Sequence, residues 1–213
     1  MIIIKSYIKA FFIFMSLLSI PVYSSEDTQT IDEYILEAIE LSVWGGFNSP
    51  EDVNQMVSDI LEDGANEAML RQAIKLEFAK KHKAEKSWPK ITDYNRLDMV
   101  FSKLRNKGVL CLHNAGMTTQ DGHDDSTEAL TKYPKSKFFG YCFYHQQDLD
   151  RAITGQGLLL AFDHIKGDVP EKLNIALAIK KELEAAKFKI EWDGTTKTRI
   201  KIPQIDWKHR SPE

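Results

Sequence analysis

The sequence predicts an α+β fold: a mixed sheet of about five strands with helices packed on it, preceded by a helical part. Three observations lead there. Phe138 to Tyr144 and Leu158 to Phe162 are two apolar runs without polar alternation, as expected of strands covered on both faces. Between them His145 to Asp148 reads as a polar turn and a short helix closed by Gly155. The chain opens with three amphipathic helical patterns before any strand, which sets those helices apart from the sheet.

The chain begins with Lys5 and Lys9 and no acid, an almost wholly apolar run from Ala10 to Ile20, and the small residues of a cleavage site at Val22-Tyr23-Ser24. We read residues 1–24 as a signal peptide cleaved near Ser24/Ser25, and the protein as periplasmic or secreted. An uncleaved anchor is the alternative, although the apolar run is short for spanning a bilayer. Residues 25–213 are then a single α+β domain, divided into a helical part, 25–87, and a core, 88–210. Without residues 1–24, 26 bases face 31 acids, a net charge of −5. An acidic protein of this kind is a poor nucleic-acid binder and suits a basic partner. No further stretch is long and apolar enough for a stable membrane anchor after cleavage.

Taken in order, Ser25 to Thr30 is a polar leader. Ile31, Ile35, Ile39 and Val43 form a helical stripe widened by Tyr34, Ala38 and Leu41, ending at Gly45-Gly46. Ser49-Pro50-Glu51-Asp52 supplies the cap, early proline and acidic first turn of a second helix. Asn66 to about Lys86 is a third, with Leu70, Ile74 and Phe78 inward. After Trp88-Pro89, Thr92 or Asp93 caps a helix that turns Leu97, Val100, Phe101 and Leu104 inward and stops at Gly108. Val109 to Leu112 is a short buried strand. MTTQDGHDDSTEAL then starts loop-like and finishes as a helix near Leu130. Beyond the central stretch, Asp168-Val169-Pro170-Glu171 opens a helix with Leu173, Ala176, Leu177 and Leu183 as its buried stripe. Phe188, Ile190 and Trp192 alternate with charges, Asp193-Gly194 turns, and Ile200 and Ile202 alternate with Arg199 and Lys201. That is a half-exposed edge hairpin and the source of the fourth and fifth strands.

Polar side chains gather at the ends of the first two central strands. If those strands are parallel neighbours, His113 approaches His145. The candidate binding residues are His113, His145, Asp148, Arg151, Asp121 and Asp125. Asp148 in this scheme caps a helix that begins near it, and Arg151 pairs with an acid of the DGHDD segment. No cofactor is required. The alternative is a Zn²⁺ site built from His113, His123, Asp125 and His145, although no established metal-ligand spacing accompanies them. There is no G-x-S-x-G and no nucleophile with a base at a recognisable spacing. Cys111 and Cys142 fall inside buried strands. They read either as small buried hydrophobes or, because an exported compartment permits disulfides, as a bridge.

RLDMVFSKL, GVLCLHNAG, GYCFYHQQDLDRAI, GLLLAF and EWDGTTKTRIKIPQIDWKHR together resemble a bacterial domain-of-unknown-function family. Its members carry a G-Y-x-F-x-H-Q-Q-D box, then W-x-G and R-I, and a final W-x-x-R. The resemblance spans about Trp88 to Arg210. It implies a common fold and assigns no activity. Many relatives carry paired cysteines after the first strand; NAGMTTQDG stands there in this chain, against a cysteine-based metal site.

The functional expectation is an exported, non-enzymatic binding protein with a protein partner. Its specific form is a periplasmic immunity protein that neutralises a cell-envelope toxin of a type VI secretion system. The competing readings are a metal-assisted hydrolase of the envelope and a structural or stress-related envelope protein.

Overall fold

The structure, a computed structural model, describes residues 29–212. The expected signal peptide lies outside the described residues. No helix among them is long and apolar enough to cross a membrane. Among the described residues the fold is α+β, with seven helices and one mixed four-stranded sheet. The chain divides into two compact units, one containing residues 29–87 with 210–212 and the other residues 88–209.

The first unit is helical. α1 (Ile31–Gly45), α2 (Pro50–Ile60) and α3 (Glu67–Glu85) each begin on a side-chain cap, from Thr30, Ser49 and Asn66. Their shared core is Ile35, Ile39, Val43, Val53, Val57, Leu70, Ile74 and Phe78. Tyr34 and Ile31, expected on the inner stripe, are exposed at the start of α1. α1 has no basic residue in its last turn. Lys81 of α3 supplies the cation instead: its ammonium is fully buried and donates to Val43 O at 2.9 Å.

The second unit contains α4 (Asp93–Asn106), β1 (Val109–Leu112), α5 (Thr119–Thr131), β2 (Gly140–Phe143), α6 (Gln146–Ile153), β3 (Leu158–His164), α7 (Val169–Ala185) and β4 (Ile200–Ile202). The strand order is β1-β2-β3-β4, with β1 and β2 parallel and the other pairs antiparallel. α4 packs with β1 and α7, while α5 covers β1 and β2 and α6 covers β3. Capping boxes at Thr92 and Asp168 start α4 and α7.

Four expectations are corrected. The fifth strand is reduced to a single bridge, Glu191 to Lys201, because Asp193 holds Thr195 and Thr198 in a tight polar turn close beside it. The inner stripe of α7 is Ile175, Ala176, Ile179 and Leu183, and Leu177 is exposed, since the i, i+4 spacing of 175, 179 and 183 stays on one face. Phe139 is also exposed, just ahead of β2. The DGHDD segment is helical throughout, within α5. Thr118 and Asp121 form a capping box, and Gly122 serves close packing rather than a turn: a Cβ there would lie 2.1 Å from the Phe143 ring.

Candidate functional site

The parallel pairing of β1 and β2 puts their C-terminal ends side by side, and the contact continues beyond the strands. Ala115 N donates to Tyr144 O at 2.9 Å and Gln146 N donates to Gly116 O at 3.0 Å. Asn114 takes a left-handed conformation (φ 49°) and its side chain donates to Gln146 Oε1. A Cβ on Gly116 would lie 2.3 Å from Asp121 Cβ, so the turn after β1 has no room for a larger residue.

His145 and Asp148 occupy the centre of this corner, 3% and 1% exposed. His145 is the N-cap residue of α6, and the helix begins at Gln146 rather than near Asp148. Asp148 reaches back to accept from His145 N at 3.4 Å. Its carboxylate lies 3.0 Å from His145 Nε2, and Arg199 Nη1 donates to both of its oxygens, at 3.0 and 2.8 Å. The same Arg199 nitrogen is 3.0 Å from His145 Nε2, and Thr119 Oγ1 is 3.1 Å from it. α5, β2, α6 and the approach to β4 therefore meet on one imidazole nitrogen. Burying a carboxylate is tolerable here because a guanidinium compensates it.

That crowding limits the chemistry. A histidine working as a general base in a triad uses one nitrogen for the nucleophile and the other for the orienting carboxylate. Here the carboxylate, the hydroxyl and the guanidinium all face Nε2, and Nδ1 is buried without a hydrogen-bond partner. The arrangement gathers carboxylate, hydroxyl and guanidinium on one nitrogen and so differs from that of a triad.

His113 lies at the end of β1 in a different environment. Nδ1 is 2.9 Å from Tyr144 Oη and Nε2 is 3.2 Å from Asp98 Oδ1. The rings of Phe101 and Tyr94 lie against it, at 4.5 and 5.3 Å between centroids. Burial lowers its pKa to about 4, against the opposing pull of Asp98, so the ring is neutral at physiological pH. Tyr144 is wholly buried, and burial raises its phenol well above the ordinary range.

The remaining candidates separate. Asp121 accepts from Thr118 N and Oγ1 as the capping partner of α5. Asp125 is exposed on α5, where partial burial and the neighbouring Glu128, Asp121 and Asp124 raise its carboxyl pKa. His123 turns to the middle of β2, with Nδ1 2.9 Å from Tyr141 Oη, and burial lowers its pKa. The helical form of DGHDD thus directs His123 away from His145, and no group of three or more His, Cys, Asp or Glu side chains converges as a metal set among the described residues. Arg151 forms no ion pair with the acids of α5, and its Nε is buried without a hydrogen-bond partner. α6 turns Asp148, Leu149 and Ala152 inward, so the link between the two segments is made by His145 and Thr119.

Arg199 and Thr119 are the members of the corner that sequence reading missed. Arg199 reads as the outward residue of an edge hairpin, and Thr119 as part of a loop. The R-I pair of the quoted motifs, Arg199-Ile200, is the signal that could have found the arginine.

Fold and corner together define an α+β domain with a set of polar residues enclosed between two strand ends and two helices. The chain belongs to the family described as a domain of unknown function, DUF6891, whose match covers residues 28–211. The family unit therefore includes the helical part as well as the span from Trp88. No curated protein and no solved structure matches the chain.

Proposed function

We propose that this protein is an exported, non-enzymatic binding protein that captures a basic protein partner, in its specific form an immunity protein against a cell-envelope toxin. The carrying observation is a charge distribution. From Gln29 to Leu70 the chain has ten acidic residues and no lysine, arginine or histidine. Glu33, Glu37 and Glu40 of α1 are exposed, as are Glu51 and Asp52 of α2 and Glu62 and Asp63 beyond it. Ile31 and Tyr34 are exposed on the same first turns of α1, 38% and 40%. Aromatic and aliphatic contact area bordered by carboxylates suits a basic protein surface, where complementary charge speeds encounter and selects the partner.

The enclosed corner supports the same reading. Its histidine and aspartate are committed to Arg199 and Thr119, so their demanding chemistry is accounted for by holding the fold together.

The test is co-purification with the product of the adjacent gene, and rescue of cells that express that product in the periplasm. Binding that weakens at least tenfold in a Glu33→Lys/Glu37→Lys/Glu40→Lys variant, and falls with added salt, supports the acidic face as the contact. Failure of both co-purification and rescue sinks the immunity role.

A further inference from the structure

Cys111 and Cys142 are register partners in the parallel β1–β2 pair. Both are free thiols and both are buried, 2% and 0% exposed. Neighbouring strands run about 4.8 Å apart, which falls within the roughly 4.4–6.8 Å between Cα atoms that a disulfide spans. Register partners project their Cβ atoms to the same side of the sheet. That side is the one under α7, because Gly140, two residues before Cys142, would place a Cβ 2.4 Å from Ile175 Cδ1. The Cys111 thiol donates to Val109 O at 3.5 Å, and it lies near enough to Cys142 to add to the rise that burial gives the Cys142 pKa. The general objection to a bridge between adjacent strands, wrong separation or diverging Cβ directions, therefore does not apply to this pair.

We propose that Cys111 and Cys142 form a redox-active pair that closes to a cross-strand disulfide when the chain folds under oxidising conditions. The oxidant is a small-molecule or protein disulfide. The thiolate of one cysteine attacks an oxidant sulfur, forming a mixed disulfide and releasing one oxidant thiol. The second thiolate then attacks the protein sulfur of the mixed disulfide and releases the other thiol. Two electrons pass to the oxidant and two protons leave the cysteines, completing a balanced exchange. Closure precedes completion of the fold. Once the sheet is covered, burial raises the Cys142 thiol well above its ordinary value and shuts out the oxidant.

The test is refolding of the full chain from denaturant, once with oxidised and reduced glutathione and once with reductant alone. Each sample is then alkylated in denaturant and its intact mass measured. The expected result after oxidative refolding is a monomer that takes up no alkylating agent and weighs about 2 Da less than the reduced chain. Its thermal midpoint should fall by roughly 10 °C on reduction in denaturant and refolding, given the length of chain the bridge would enclose. Two alkylated cysteines after oxidative refolding overturn the proposal, as does a bridged monomer with a midpoint below that of the reduced chain. Because the readout is made in vitro, it does not depend on where the protein resides or what it binds.

Discussion

Arg199 holds both carboxylate oxygens of Asp148 with a single guanidinium nitrogen, at 3.0 and 2.8 Å, across fifty-one residues of sequence. The contact ties the approach to β4 to the first turn of α6. Asp148 is 1% exposed while the Arg199 side chain is 32% exposed, so the two halves of the pair differ in what their loss costs. Arg199→Ala leaves a buried carboxylate without its countercharge and should destabilise the protein by about 3 kcal/mol. Asp148→Asn keeps the shape and releases an arginine that can turn to water, so it should cost less, about 1–2 kcal/mol. Urea unfolding of both single variants and the double variant measures this. A coupling energy near zero in that cycle would show that the two residues act independently.

His113 makes stability depend on acid. Its folded-state pKa is about 4, lowered by burial, against an unfolded value of 6.5. The unfolded chain therefore binds more protons between these values, and stability is lost as pH falls from 6.5 towards 4. The full difference is worth about 3 kcal/mol. His113→Gln should be less stable than the parent at pH 7, and the gap between them should close as the pH is lowered to 4. A gap that stays constant over that range would assign the acid sensitivity elsewhere.

These two residues show what the sequence made legible and what it hid. His113 and His145 could be placed at neighbouring strand ends because apolar runs and capping patterns are local, and parallel pairing then brings the ends together. The caps of α2, α4 and α7 were readable for the same reason: Ser49, Thr92 and Asp168 each bond the backbone three residues on. Arg199 was hidden because alternation says which side of a strand a residue occupies, and nothing about what lies on that side. α5 was misjudged where local and tertiary meanings conflict. Asp121-Gly122 carries the composition of a turn, yet the glycine is needed because Phe143 occupies the place of its side chain.

Lys81 gives a pH response of the same sign in an alkaline window. Its ammonium is buried, and burial lowers its pKa to about 8, while Glu85 at 3.9 Å opposes the change. Between pH 8 and the unfolded value of 10.5 the unfolded chain binds more protons, so stability rises with pH across that window. Lys81→Met removes the response and leaves Val43 O still accepting from Gly46 N at 3.2 Å. The parent should gain on the variant by about 3 kcal/mol between pH 8 and 10.5. Parallel unfolding curves at several pH values check it, and an unchanged difference would mean that Lys81 is solvated in solution.

Gly122 provides the sharpest separation of local from tertiary effects. In an exposed helix interior, glycine to alanine stabilises by about 1 kcal/mol, because alanine restricts the unfolded chain and favours the helix. Here the new methyl would meet three Phe143 ring atoms, Cε2, Cδ2 and Cζ, at 2.1, 2.5 and 2.8 Å. Phe143 is itself fully buried in the core that α5 covers, so neither group has room to yield. Gly122→Ala should therefore destabilise by about 2 kcal/mol or more despite its better helix propensity. The double variant Gly122→Ala/Phe143→Leu, with a smaller side chain opposite the methyl, should recover part of that loss relative to Phe143→Leu alone. Thermal unfolding of the four proteins measures the recovery. If Gly122→Ala proves neutral or stabilising, α5 does not pack on Phe143 at this distance.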